Sequence, residues 1–318
     1  MDTNEQIFEV LKNAKTIGII AHINPDGDCL GSALGLGLSL KNMNKKVCFF
    51  VDDSIHFNYK FFAKNYFTRE DISKDIDCLI AVDCSDLNRL GKYSEAFTKH
   101  SNTIVFDHHI TNTNFGKINQ VEIDVTSACE VVYKFLKQFD ITINNEIAQS
   151  LYVGLCTDTG CFEHSNVSPF AHEMAGELLK YEFDFESAHY YLFRRKTYNQ
   201  LKLLTTALNS IQSFYGGKLN IMTLTRSCFL KTNTDEKDVI GFVNYGLYID
   251  GVEICAIISE SDNNCYHISF RSKGKLPANE VALKFGGGGH IMASGCKIWG
   301  SHNTVKRKII EALGDYFD

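Results

Sequence analysis

The segment TIGIIAHINPDGDCLGSALGL (residues 16–36) carries the pattern that decides the fold. Its first part, TIGIIAH (16–22), is short, β-branched and apolar, which is typical of a strand buried on both faces. Pro25 and Gly27 then force an irregular loop, and a helical pattern of apolar residues runs over 29–40. A buried strand, a loop and a helix in this order predict the first half of a βαβ unit.

The same pattern repeats along the first half of the chain. Three further runs read as buried strands: KVCFFVD (46–52), CLIAVDC (78–84) and NTIVFDHH (102–109). Helical patterns lie at 126–139 and 147–156, and helical segments continue from Pro169 to about residue 211. Because strands alternate with helices, we predict right-handed βαβ units and an open parallel sheet.

The second half predicts a smaller α/β domain. Its strands are LNIMTLT (219–225), VEICAIISE (252–260), CYHISFRSK (265–273) and CKIW (296–299), with a hairpin turn at SDNN (261–264). One helix follows Pro277, and another closes the chain over 305–317. We therefore expect an α/β protein with a parallel-sheet, Rossmann-like domain at 1–190, a helical linker at 191–214 and a smaller α/β domain at 215–318.

Composition limits the function classes. Apolar residues make up 44% of the 318 residues and charged residues 22%, which indicates a globular protein and excludes disordered and fibrous classes. No apolar run reaches the roughly 18 residues of a membrane span. The net charge of −6 argues against long duplex nucleic acid as a partner. Eleven scattered cysteines without a CxxC pair, and an N-terminus without a signal-peptide pattern, predict a cytoplasmic protein with reduced thiols.

Acidic and histidine side chains follow the predicted strands. Their four groups are His22 with Asp26 and Asp28, then Asp83, then Asp107 with His108 and His109, and finally Asp158 in LYVGLCTDTG. We expect all four at the carboxyl ends of strands, where open parallel sheets bind ligands. A lone Asp there is usually a cap or turn residue, but apposed carboxylates need cations to offset their repulsion. Mixed Asp/His ligation without cysteine suits Mn²⁺ or a similar divalent ion.

Two nearby signals leave alternatives open. Gly31 and Ser32 open the first helix, where small residues serve either phosphate binding or close helix packing. Ser127-x-x-Glu130 matches a capping box, and we favour this local role over contact with a metal site.

The glycine run in FGGGGHIMASG (285–295) is the second unusual feature. One glycine would suffice to end a helix, so four glycines indicate that the backbone approaches another group closely. The backbone N–H groups of such glycine-rich loops form anion-binding nests. Arg271, on a predicted strand nearby in sequence, has the side chain suited to bidentate phosphate recognition.

These motifs resemble those of a known family. HINPDGDCLGSALGL (22–36) resembles the first motif of the DHH phosphoesterase superfamily, and Asp107-His108-His109 resembles the triplet that names it. Asp83 in VDCSD and Asp158 in CTDTG match the second and fourth motifs. The glycine run resembles the GGGH motif of the DHHA1 domain, which implies a DHH–DHHA1 protein with an active-site cleft between its domains.

The resemblance implies a role for each motif residue. His22 and Asp26 should hold one cation, Asp28, His108 and Asp158 a second, and Asp83 should bridge both. His109 should face the substrate phosphate, and Asp107 should orient an imidazole. In the second domain, the resemblance implies a substrate-binding set: Arg271, Gly288, Gly289, His290, Ser294 and, more weakly, Asn244.

Within the family, the chain most resembles the nano-RNase A type. That resemblance implies a Mn²⁺-dependent hydrolase of short nucleotides, such as nanoRNA, pApA and 3′-phosphoadenosine 5′-phosphate (pAp), with a water between two cations as nucleophile. A cyclic di-AMP phosphodiesterase and a nucleotide sensor without catalysis are the alternatives, although all six ligand positions are intact. The sequence leaves the oligomeric state open, a homodimer included.

Overall fold

The structure is a computed structural model that describes residues 2–261 and 264–317. The chain divides between Arg195 and Lys196 into two compact units. Asp262 and Asn263 of the predicted turn at 261–264 lie outside the described residues. None of the helices in the described ranges is long and apolar enough to cross a membrane.

The first unit contains a parallel sheet flanked by helices. Its strands are β1 (Thr16–Ala21), β2 (Lys46–Val51), β3 (Phe67–Thr68), β4 (Cys78–Val82), β5 (Thr103–Asp107) and β6 (Ile118–Val121). Its helices are α1 (Thr3–Asn13), α2 (Gly27–Asn42), α3 (Lys60–Ala63), α4 (Ser94–Lys99), α5 (Ala128–Gln138), α6 (Asn145–Asp158), α7 (Pro169–Leu178) and α8 (Phe185–His189).

The described strands of this sheet run in the order β3-β2-β1-β4-β5-β6, and every neighbouring pair is parallel. The Rossmann-like parallel sheet is thereby confirmed, with the four predicted strands at its centre. The order reverses between β1 and β4, which is the position where doubly wound sheets open a crevice for ligands.

Helix α2 lies against the sheet and is buried from Gly27 to Leu40. Its sequence is apolar on every side, as expected of a helix enclosed by neighbours. It packs closely on α6, where a Cβ on Gly31 would lie 2.4 Å from the Ser150 carbonyl oxygen. The opposite face of the sheet is covered by Leu90, Tyr93 and Phe97 in and before α4.

The second unit is built on a mixed sheet. Its strands are β7 (Gln212–Phe214), β8 (Leu219–Leu224), β9 (Ile254–Glu260), β10 (Cys265–Ser272), β11 (Gly288–His290) and β12 (Ala293–Trp299). Its helices are α9 (Tyr198–Asn209), α10 (Arg226–Thr232), α11 (Phe242–Leu247), α12 (Ala278–Leu283) and α13 (His302–Gly314). The described strands run in the order β11-β12-β10-β9-β8-β7, with only β8 and β9 parallel among these pairs.

Two apolar layers cover this sheet. Helices α12 and α13 bury one face through residues such as Val281 and Ile309. Helix α9 lies within the segment expected as a linker, and its Leu203 and Ala207 join Phe242 of α11 in the core on the other face. That second layer packs on β8 and β9, whereas β10 and β12 contribute no side chain to it among the described residues.

Candidate metal and substrate sites

The central strands of the first unit end next to polar side chains. His22 follows the last residue of β1, Asp83 follows β4, and Asp107 ends β5 directly before His108 and His109. Because these strands are parallel neighbours, their carboxyl ends share one edge of the sheet. The structure therefore brings the first three predicted groups to the position where the strand order reverses.

Two further carboxylates reach this edge from helices. Asp28 lies in the first turn of α2, and Asp158 is the last residue of α6. The expectation that Asp158 follows a strand is wrong, because LYVGLCTD continues as a helix packed against α2. A helix end serves as well as a strand end here, since it delivers the side chain to the same edge.

His108 lies at the centre of the cluster. Its Nε2 atom is 3.5 Å from Asp83 Oδ1, 3.5 Å from Asp158 Oδ2 and 3.9 Å from Asp28 Oδ2. Asp28, His108 and Asp158 offer ligand atoms that all lie within 4.8 Å of one another. These are the three residues expected to share one cation, and they are close enough to do so.

His22 and Asp83 form the other side of the cluster. His22 Nδ1 lies 2.8 Å from the Ile23 carbonyl oxygen and donates to it, which leaves Nε2 as the nitrogen that faces the cluster. That Nε2 atom is 3.4 Å from Asp83 Oδ2. Asp83 has a φ of 53°, a left-handed conformation that few residues other than glycine adopt. Such strain is typical of functional sites.

Unsatisfied polar atoms test whether a cation fits. Within the described residues, His22 Nε2, Asp83 Oδ1 and Asp158 Oδ2 are buried and have no hydrogen-bond partner. A buried acceptor without a partner is costly, and a cation bound between such atoms would remove that cost. Carboxylate oxygens and a neutral imidazole nitrogen are ligands that divalent cations accept. The described residues thus fit a metal centre.

Burial and mutual repulsion change the pKa values of this cluster. Burial and the charge of Asp83 raise the pKa of Asp28 to about 7, and burial together with Asp28 raises the pKa of Asp158 well above its usual range. Burial opposes ionisation of Asp83, yet the adjacent imidazoles of His108 and His22 hold its pKa well below the usual range. Without cations the cluster therefore retains protons, which bound cations would displace.

Asp107 contacts one histidine of the triplet. Its Oδ1 atom accepts a 2.7 Å hydrogen bond from His109 Nδ1, and its Oδ2 atom accepts one from Asn112 Nδ2. Asp107 is fully buried, so this pairing fixes the orientation of the His109 ring. His109 Nδ1 also lies 3.7 Å from Asp83 Oδ1. Asn112, which lies five positions after Asp107, has no sequence pattern that would single it out.

In the second unit, strand register aligns Arg271 with the glycine run. Arg271 of β10 pairs with Ala293 of β12, which in turn pairs with His290 of β11. Directly opposed residues of antiparallel strands project to the same face, so Arg271 and His290 share a face. Cys255 of β9 also pairs with Arg271 and contacts Gly246 of α11, the helix that carries Asn244.

The glycine run packs against its own sheet. A Cβ on Gly287 would lie 2.1 Å from the Gly295 carbonyl oxygen, and one on Gly289 would lie 2.5 Å from the Ala293 carbonyl oxygen. Gly288 has open space around it and is exposed. Ser294 is buried, and its hydroxyl donates a 2.6 Å hydrogen bond to the Ala278 carbonyl. Part of the run is therefore explained by strand packing, while Gly288 and His290 present an exposed edge.

Comparisons with known proteins identify the family of both domains. Residues 16–155 match the DHH family, N-terminal domain, and residues 216–317 match the DHHA1 domain. The bifunctional oligoribonuclease and PAP phosphatase NrnA of Thermus thermophilus is 30% identical over 317 residues, which span 96% of this chain and 92% of that protein. The chain belongs to the DHH–DHHA1 family, of the nano-RNase type.

Other relatives match this chain over nearly its whole length. The NrnA protein of Bacillus subtilis is 25% identical, over 92% of this chain and 93% of its own length. The crystal structure of an exopolyphosphatase-related protein from Bacteroides fragilis is also 25% identical, with a TM-score of 0.92 over 99% of this chain and 96% of that one.

Asp26 of the DHH domain is not among the described residues whose ligand atoms lie within 4.8 Å of one another. Its carboxylate is exposed and caps α2 by accepting hydrogen bonds from the N–H groups of Asp28 and Cys29. Among the described residues, the atoms grouped with His22 and Asp83 belong to Cys29 instead. The Cys29 Sγ atom accepts a 3.3 Å hydrogen bond from the His22 N–H. Cys29 was missed because a cysteine in an apolar helix reads as a core residue.

The two open alternatives near the DHH site now have structural answers. Gly31 abuts the backbone of α6, and the Ser32 hydroxyl donates to the Cys29 carbonyl, so these residues serve packing. Ser127 caps α5 by accepting from the Glu130 N–H, but Glu130 bonds to Thr126 instead of completing the box at Ser127. The capping box is thus only half formed.

Proposed function

We propose that this phosphoric ester hydrolase cleaves short nucleotides, namely nanoRNA, pApA and pAp, with two divalent cations, most readily Mn²⁺. The observation that carries the proposal is the buried cluster of potential metal-ligand atoms without hydrogen-bond partners on His22, Asp83 and Asp158. The activities in the names of the NrnA relatives support the substrate class. The proposal includes a cytoplasmic location.

In this proposal, each cation has its own ligands. Asp28, His108 and Asp158 hold one cation, since their ligand atoms already lie within 4.8 Å of one another. His22 holds the other, with Asp26 turning from its capping position to complete the site. Asp83 serves both cations, because one oxygen faces His22 and the other faces His108.

The residues around the cations set up the reaction. Bound divalent cations polarise a phosphoryl oxygen and lower the pKa of a water molecule. His109, held by Asp107 at 2.7 Å, presents its Nε2 atom to the substrate phosphate. The Asp83 backbone strain fixes its carboxylate before substrate arrives, so little reorganisation is needed during reaction.

The DHHA1 domain supplies the substrate-binding set. Arg271 is half-buried and its Nη1 donates 2.9 Å to the Phe270 carbonyl, which fixes the guanidinium on the face shared with His290. A fixed guanidinium binds a phosphate with two parallel hydrogen bonds. Gly288, Gly289, Ser294 and Asn244 complete the proposed set.

The test is a turnover assay on four substrates in parallel: pApA, a five-nucleotide RNA, pAp and cyclic di-AMP. Each reaction contains Mn²⁺, and matched reactions contain excess chelator or the variant Asp83→Ala. Release of mononucleotides from RNA and pApA, and of phosphate from pAp, supports the proposal. If cyclic di-AMP alone were turned over, the proposed substrate class of linear short nucleotides would be wrong. Tight nucleotide binding without any turnover would identify a sensor and overturn the proposal.

A further inference from the structure

A second cluster of reactive side chains adjoins the C-terminal end of α6. It consists of Tyr152, Cys156, Cys161 and His189. None of these residues belongs to the metal or substrate sets described above. Tyr152 and Cys156 lie on α6, Cys161 lies in the turn after it, and His189 ends α8. The four side chains are thus brought together from three segments of the first unit.

The turn after α6 holds Cys161 against Cys156. The Cys161 N–H donates a 2.7 Å hydrogen bond to the Cys156 carbonyl, which closes a tight turn between the two cysteines. Gly160, Cys161 and Phe162 have φ values of 57°, 60° and 67°. Two consecutive non-glycine residues in the left-handed region cost free energy and persist only where the surroundings hold them.

His189 connects the cluster. Its Nε2 atom lies 3.0 Å from the Tyr152 hydroxyl, and its Nδ1 atom lies 3.5 Å from Cys161 Sγ. When the Tyr152 hydroxyl donates to Nε2, the neutral ring carries its proton on Nδ1 and donates it toward the sulfur. Burial lowers the pKa of His189, which favours this neutral ring.

The two thiols differ in exposure and acidity. Cys156 is fully buried, whereas Cys161 is half-buried and accessible to a small solute. A hydrogen bond from the Cys156 thiol lowers the pKa of Cys161 to about 7, against the opposing effects of burial and Glu163, and with a smaller contribution from Arg194. An accessible, acidic thiol beside a second thiol is the usual arrangement of a redox-sensing cysteine.

We propose that Cys161 is an oxidation site and that Cys156 is its resolving partner. The Cys161 thiolate attacks a hydroperoxide, the O–O bond breaks, and the leaving oxygen takes a proton to become water or an alcohol. Cys161 is left as a sulfenic acid. The Cys156 sulfur then attacks Cys161, the S–O bond breaks, and the hydroxide leaves as water with the proton of Cys156. Two thiols and one peroxide thus become one disulfide.

The disulfide would act on the neighbouring DHH site through Asp158. That residue ends the helix turn that begins near Cys156. Its carbonyl oxygen lies 3.2 Å from both His164 Nδ1 and Asn166 Nδ2, which belong to the segment after Cys161. A covalent bond between the sulfurs draws them to about 2 Å, so the turn that positions Asp158 must adjust.

The experiment measures the modification itself, on the full chain. Reduced protein is exposed to limiting hydrogen peroxide, remaining thiols are alkylated, and the digest is mapped by mass spectrometry. The expected result is a cross-linked peptide that joins Cys156 to Cys161, with an intact mass lower by about 2 Da and full reversal by dithiothreitol. The matched control is Cys228→Ser, which removes a half-buried thiol elsewhere in the chain. This variant should form the Cys156–Cys161 cross-link as the wild type does.

Variants separate the two chemical steps. With Cys156→Ser, oxidation should stop at the sulfenic acid of Cys161, which dimedone traps. With Cys161→Ser, the cross-link and the dimedone adduct should both disappear. When His189→Gln is combined with Cys156→Ser, the rate of dimedone trapping should fall by roughly tenfold relative to Cys156→Ser alone, while the circular dichroism spectrum stays unchanged. Should peroxide oxidise Cys228 or Cys48 as fast as Cys161 in the wild type, or leave Cys156 and Cys161 unlinked, the proposal is wrong.

Discussion

The carboxylate of Asp28 accepts a 2.6 Å hydrogen bond from the backbone N–H of Ala128, which lies 100 positions later in the chain. Its other oxygen accepts a 2.9 Å hydrogen bond from the Cys129 N–H. Both donors belong to the first turn of α5, where N–H groups have no partner within the helix. The N-terminus of α5 thus orients a carboxylate of the metal cluster. It also favours the ionised form, against the larger effects of burial and Asp83, which raise the pKa of Asp28 to about 7.

Asp28→Asn should therefore impair both stability and cation binding. The amide group of Asn would place a donor against one of the two backbone N–H groups, and the unsatisfied donor costs about 1–3 kcal/mol. Cation affinity should fall by roughly 10–100-fold. Thermal unfolding and Mn²⁺ titration measure the two effects. Asp75→Asn, on an exposed loop, should change neither, and an unaltered affinity in Asp28→Asn would contradict the assignment.

Asp83→Ala should abolish turnover while the fold is retained. The Asp83 oxygens lie between His22 and His108, so one substitution removes a ligand from both proposed cations. We expect a loss of at least about 10³-fold in kcat, or roughly 4 kcal/mol of transition-state stabilisation. Steady-state kinetics with circular dichroism test this, with Asp75→Ala as the control. More than about a tenth of wild-type activity would exclude the bridging role.

The sequence predicted the parts of the fold that have strong local patterns. The four central strands are continuous apolar runs, and the motif residues at their ends converge because parallel neighbours share an edge. The edge strands β3 and β6 were missed, since β3 has two residues and β6 reads INQV, with no apolar run. The strand β11 was hidden in the glycine run, which local propensity assigns to a turn.

Contacts between distant segments could not be predicted from spacing. The hydrogen bond from the Ala128 N–H at the start of α5 to the Asp28 carboxylate depends on the packing of α2 against α5 and α6. The pair Cys161 and His189 depends likewise on how α8 returns to α6. Neither segment has a pattern that indicates the other, so only the folded structure shows them together.

Removal of cations should silence the enzyme without unfolding it. The cluster lies at one edge of a sheet whose core is formed by residues such as Ile19, Ile80 and Phe106, so the fold does not depend on the cations. After chelation we expect no turnover and an unchanged far-ultraviolet spectrum. Mn²⁺ at 100 times its Kd should restore activity and add about 2.7 kcal/mol of stability. Global loss of helical signal on chelation would contradict this.

Gly31→Ala should destabilise the protein, whereas Gly176→Ala should not. A Cβ at Gly31 would lie 2.4 Å from the Ser150 carbonyl oxygen, a backbone atom that cannot move aside cheaply. We expect a loss of about 1–3 kcal/mol from this overpacking. Gly176 is an exposed position of α7, and a Cβ built there would have nothing within 4 Å. Ala at this position should therefore increase the free energy of unfolding by as much as about 1 kcal/mol. Denaturant unfolding compares the two, and equal stabilities would refute the packing role of Gly31.

Arg271→Ala should affect nucleotides more than a small ester. Arg271 lies on a strand of the DHHA1 domain, whereas all the metal-cluster residues belong to the DHH domain. If Arg271 binds a phosphate away from the reacting one, its loss should lower kcat/KM for pApA by roughly 10–10³-fold, the scale of a charge-assisted hydrogen-bond pair. Part of this loss should appear in kcat, because remote binding energy also orients the substrate. For a nitrophenyl ester of thymidine phosphate, which reaches only the cations, kcat/KM should fall far less.

The control is Arg307→Ala, which replaces an exposed arginine on α13 and should alter neither reaction. Equal proportional losses on both substrates would place Arg271 at the reacting phosphate instead.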